Sequence, residues 1–108
     1  MTYTYQRHGQ GIGKYPVDIP KGYWTLVTDP AYPGITLVQT QCPLCGESSL
    51  ISPRIHSIAL DGTLHPSLVC QQYNVSTQPP VRCTFHEWVR LEGWVPGEAP
   101  AYLGGGRP

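Results

Sequence analysis

The segment Cys42-Pro43-Leu44-Cys45-Gly46 and its distant counterpart Cys83-Thr84-Phe85-His86 constrain this chain more than anything else in it. Two soft ligands two residues apart can reach one metal ion from a single turn. A glycine after the pair permits the left-handed backbone that such a knuckle adopts. Cys-x-x-Cys and Cys-x-x-His together make a closed tetrahedral set, the arrangement of a structural zinc site. The spacing therefore predicts one structural zinc ion held by Cys42, Cys45, Cys83 and His86. The competing readings are two disulfides, or cysteines buried as small apolar side chains.

The opening residues Met1-Thr2-Tyr3-Thr4-Tyr5-Gln6-Arg7-His8 carry no apolar stretch of the secretory type. That favours a reducing compartment, and with it metal over disulfide. A thioredoxin-type role would need a βαβ pattern around the pair, and none is legible. Two other residues compete for the metal. Cys70 follows a predicted strand and has no partner at knuckle spacing, so its default is a buried thiol; the alternative is that it replaces His86 or Cys83. His65 defaults to a satisfied histidine near the cluster, hydrogen-bonded to a sulfur or a carbonyl.

At 108 residues the chain allows one domain. Twelve glycines and twelve prolines leave little room for long helices. The core would be thin for this length, so a metal staple makes physical sense. Seven basic residues balance seven acidic ones. Arg7, Lys14, Lys21, Arg54, Arg82, Arg90 and Arg107 are scattered singly, which argues against a nucleic-acid partner, since such binding draws on clustered cations. No apolar run approaches the roughly 20 residues of a membrane span.

Along the chain, glycine and proline break any period in residues 1–22, and the segment reads as an extended N-terminal arm. Its tyrosines would become ordered against a neighbouring subunit. Tyr23 to Thr28 has strand composition, with Trp24 in the core. Asp29 to Gly34 is a turn, and Ile35 to Gln41 a second strand leading into the knuckle. Ile55 to Leu60 and Thr63 to Val69 flank Asp61-Gly62, a strong hairpin signal, with Pro66 arguing for an edge. Residues 71–80 are a polar loop. Trp88 to Arg90 reads as a strand, Glu92-Gly93 as a turn, and Trp94-Val95 as a returning strand. Residues 96–108 form a second irregular arm, rich in Gly and Pro. The expected fold is mainly β: a small zinc-ribbon-like domain over 23–95 with an arm at each end.

Catalytic patterns are missing. There is no His-Glu-x-x-His, no deaminase signature, and Gly9-Gln10-Gly11-Ile12-Gly13 lacks the preceding strand of a phosphate-binding loop. Four good ligands would also close the metal to substrate. The expectation is a protein without enzymatic activity.

Cys42-Pro-Leu-Cys-Gly46, Leu64-His-Pro-Ser-Leu68 and Cys83-Thr-Phe-His-Glu-Trp-Val89 together resemble a group of small phage and bacterial proteins. These carry a cysteine knuckle, an H-P-S-[IL] strand and a C-x-x-H-x-W-[IV] segment. The resemblance covers residues 40–95 and implies a zinc-binding β fold, often encoded by tailed phages, without an assigned activity. This chain departs from the pattern in its long 70–83 loop, in Cys70 and in both arms. Two expectations follow. One is a structural virion component, a capsid decoration or tail-associated subunit, attached to other virion proteins through residues 1–22 and 96–108 and found in the virion or the host cytoplasm. The other is a nucleic-acid-associated zinc ribbon that regulates transcription.

Overall fold

The computed structural model describes residues 2–70, 73–74 and 81–102. Among the described residues ten strands carry the fold: β1 (Thr2–Lys14), β2 (Tyr23–Thr28), β3 (Leu37–Gln41), β4 (Ser48–Ile51), β5 (Ser57–Ile58), β6 (Leu64–His65), β7 (Leu68–Val69), β8 (Tyr73–Asn74), β9 (Val81–Arg82) and β10 (His86–Leu91). Two short 3-10 turns follow, Pro96–Glu98 and Pro100–Tyr102. The mainly β fold expected from the sequence is the one observed. No described helix is long and apolar enough to cross a membrane.

Six strands form one curled sheet in the order β4-β3-β2-β1-β10-β7. β5 and β6 pair as a hairpin around Asp61-Gly62, as expected, and β8 pairs with β9. The predicted strand Thr63 to Val69 is broken into β6 and β7 around a cis His65-Pro66 bond. Gly62 closes the hairpin at φ +93°, where an added Cβ would meet the Leu91 carbonyl. No returning strand follows Glu92-Gly93: Trp94 and Val95 lie between β10 and the first 3-10 turn.

The arms are the main correction. Residues 2–14 are not an appendage but the central strand β1, parallel to β10 on one side and to β2 on the other. The alternation Thr2-Tyr3-Thr4-Tyr5 sets its inner face, and Tyr5 is fully buried. Gly9 and Gly11 lie where β1 bulges: five steps from Arg7 to Ile12 match two steps from Trp24 to Leu26 on β2. Arg7 lies over the Trp24 ring, 5.0 Å from its centre, and pairs with Glu98 at 2.7 Å. Trp24 is buried, as expected, and its indole N–H donates to the Glu92 carbonyl at 2.9 Å.

The C-terminal segment is also part of the body as far as residue 102; the rest of that expected arm, 103–108, lies outside the described residues. Tyr102 is fully buried. Its hydroxyl accepts from the Val38 N–H at 2.9 Å and donates to the Ile51 carbonyl, bridging two residues paired across β3 and β4. The described parts of both segments therefore belong to the body and anchor it through Tyr5, Ala99 and Tyr102.

The short crossover from β1 back to β2 contains no helix. Gln39, fully buried on β3, holds it by accepting from the Val17 N–H at 2.8 Å and donating to the Val17 carbonyl at 2.7 Å. A single side-chain amide thus satisfies both backbone groups of half-buried Val17.

Candidate metal centre

The turn between β3 and β4 is the knuckle read from the sequence. The Cys42 N–H donates to the Glu47 carbonyl and the Gly46 N–H to the Cys42 carbonyl, both at 3.0 Å. Gly46 takes φ +83°, the left-handed conformation the turn demands, and the stem of Lys21 packs over it. The Gln41 side chain braces the turn, donating to the Gly46 carbonyl at 2.6 Å and accepting from the Ser48 hydroxyl at 3.0 Å. Cys42 and Cys45 are thereby presented from one rigid loop.

The other half of the site comes from the far edge of the sheet. Cys70 follows β7 directly, and its N–H is held by the Phe85 carbonyl at 3.0 Å. Cys83 follows β9 and leads into β10. The sulfurs of Cys42, Cys45, Cys70 and Cys83 all lie within 4.8 Å of one another. Cys42 and Cys83 are 3.7 Å apart, and Cys45 and Cys70 are 3.6 Å apart. Four sulfurs at about 2.3 Å from a zinc ion would stand about 3.8 Å from each other, the edge of the tetrahedron. A disulfide would bring a pair to about 2.05 Å. The four thiols thus have the spacing of ligands around one ion.

Three of the four predicted ligands are brought together, and the fourth is corrected. Cys70 occupies the place expected for His86. From Cys83 the chain runs extended into β10, so side chains alternate: Phe85, Val89 and Leu91 face the core, while His86 and Trp88 face outward. His86 is three residues from Cys83 and falls on the opposite side. It meets the Ser67 hydroxyl at 3.0 Å instead. Cys70 is in phase with buried Leu68, and exposed Val69 lies between them. This alternation was the signal that sequence reasoning passed over. His65 is also outside the cluster, edge-on to the Trp88 ring at 6.1 Å.

The surroundings favour the thiolate at Cys83. The backbone N–H of Phe85 donates to the Cys83 sulfur and holds that thiol below its usual range. Desolvation pushes the Cys45 thiol up, and an N–H from Glu47 opposes that shift. Both donors come from two residues beyond the cysteine, so the two halves repeat one local motif. Tyr3, Tyr5 and Phe85 stack edge-on, with ring centres 5.1, 5.7 and 6.2 Å apart. Burial, followed by the charge of the neighbouring Cys42, drives the Tyr5 hydroxyl far above its ordinary value. The donor set, soft and all sulfur, suits zinc and gives oxygen-seeking cations no ligand.

The site joins the β3–β4 turn to β7 and β10. Those elements lie toward opposite ends of the sheet order, with β2 and β1 between them. An ion here would staple the curl shut. Compared with models of known families, with curated proteins and with solved structures, the chain matches none.

Proposed function

We propose that the chain is a structural zinc protein without enzymatic activity, in which one ion held by Cys42, Cys45, Cys70 and Cys83 locks a curled β sheet. The observation that carries this reading is the four-sulfur cluster, with its 3.6 and 3.7 Å spacings, assembled from elements distant in sequence. Gathering four thiols together without a shared ion would leave weak donors and acceptors poorly matched, whereas a metal uses all four. The ion contributes folding free energy, on the order of 10 kcal/mol apparent for small zinc domains at neutral pH.

The wider role proposed is that of a component of a phage particle, and it rests on the resemblance over residues 40–95. With Tyr5 and Tyr102 in the core, attachment would use outward side chains such as Trp88, Leu60 and Ile55, which are exposed.

Two measurements test the two levels. Native mass spectrometry of the reduced chain should show one zinc per folded monomer, lost with chelator together with cooperative unfolding. A metal-free chain that melts cooperatively at the same temperature would overturn the structural role. Mass spectrometry of purified particles from the source should find the protein in fixed stoichiometry, and its absence from them would overturn the virion role.

A further inference from the structure

We infer that the cluster is an oxidative modification site that exchanges its zinc for two disulfides across the sheet, Cys42–Cys83 and Cys45–Cys70. This rests on the tetrathiolate reading. In the knuckle, Cys42 and Cys45 are neighbours in sequence. Each nonetheless stands within 3.7 Å of a sulfur from the other side of the sheet, 41 and 25 residues away respectively. Closing either pair to about 2.05 Å requires movement of less than about 2 Å. The knuckle turn itself is held by the Cys42–Glu47 and Cys42–Gly46 backbone bonds, and its two sulfurs face partners across the sheet. Cross-sheet pairing joins the same elements that the ion joins, so the curl stays stapled after the metal leaves.

The co-reactant is a peroxide, and Cys45, the exposed member of the set, meets it first. The Cys45 thiolate takes one peroxide oxygen as a sulfenic acid, and the other oxygen leaves as water after protonation. The Cys70 thiolate then attacks that sulfur, forming the S–S bond and expelling hydroxide, which is protonated to a second water. Repetition at Cys42 and Cys83 consumes a second peroxide. Four thiolates give up four electrons to two peroxides, four protons are taken up, four waters form, and the divalent ion is released.

The chain provides its own map for the test. Trypsin cutting after Lys21, Arg54, Arg82 and Arg90 places Cys42 and Cys45 on one peptide, Cys70 on a second and Cys83 on a third. Zinc-loaded and metal-free reduced protein are each treated with hydrogen peroxide, and released zinc, linked peptides and thermal melting are followed. The expected result is one zinc released per two disulfides, a three-peptide species, and fragmentation spectra assigning Cys42 to Cys83 and Cys45 to Cys70. The oxidised chain should keep a cooperative melt. An internal Cys42–Cys45 bond, the Cys42–Cys70 and Cys45–Cys83 pairing, or an oxidised chain that no longer melts cooperatively would each overturn the proposal. The zinc content of the reduced chain is read separately, so a chain that never binds zinc overturns the metal reading. Oxidation without the cross-sheet bonds overturns only this one.

Discussion

The sulfurs of Cys45 and Cys70 stand 3.6 Å apart across 25 residues of sequence. That contact joins the β3–β4 turn to the end of β7, and it makes Cys70 rather than His86 the fourth member of the cluster. Cys70→Ser should therefore abolish stoichiometric zinc binding, while His86→Ala should leave one zinc per chain. Metal analysis of the two purified variants checks this. Zinc retained by the serine variant and lost by the alanine variant would reverse the assignment.

β1 is the central strand of the sheet, so removing residues 1–14 should leave β2 and β10 without a common partner. The truncated chain should fail to fold even with zinc present. Tyr5→Ala is the milder form, expected to cost about 3–5 kcal/mol for a large side chain removed from a packed core. Denaturant unfolding of the full-length variant reads that cost, and a truncated chain with an unchanged melt would contradict the account.

Much of the fold was legible because local pattern and tertiary role agreed. Tyr23 to Thr28 is β-branched and aromatic and became β2; Asp61-Gly62 made its hairpin. The N-terminal segment was not read correctly because its glycines dominate any window average. Gly9 and Gly11 sit in a bulge, while Thr2-Tyr3-Thr4-Tyr5 carries the strand alternation. The C-terminal segment was lost for another reason: Tyr102 acts through one hydroxyl placed between Val38 and Ile51, a contact with no local signature. At the metal centre, knuckle spacing and strand phase point to different residues. Cys83-x-x-His86 has the right count for a turn, but Phe85, Val89 and Leu91 mark an extended chain that turns His86 away.

The Tyr102 hydroxyl is expected to matter apart from its ring. Tyr102→Phe keeps the packing and leaves the Val38 N–H and the Ile51 carbonyl without that partner. The expected loss is about 1–3 kcal/mol, the cost of leaving buried polar groups unsatisfied. Equilibrium unfolding of wild type and variant checks it, and an unchanged midpoint would mean that the hydroxyl is incidental.

His56 should give the fold a pH dependence below neutrality. Burial lowers its pKa, the Ser67 carbonyl only partly opposing, and its Nδ1 is buried without a hydrogen-bond partner. The folded chain thus keeps a neutral imidazole where the unfolded chain binds a proton. Its contribution is complete above the unfolded value of about 6.5 and is lost as pH falls through the window down to the lowered folded value. Relative to His56→Leu, the wild type should lose stability between pH 7.5 and pH 5.5 in denaturant titrations. Acid release of the metal affects both proteins, so the comparison isolates the histidine. Parallel curves would show that His56 titrates normally.

X-ray absorption at the zinc edge of the reduced, full-length protein tests the central claim most directly. The account requires a first shell of four sulfurs at about 2.3 Å with no imidazole scattering. Three sulfurs with one nitrogen at about 2.0 Å would return His86 to the site, and a shell of oxygens would mean that the four thiols do not hold the ion at all.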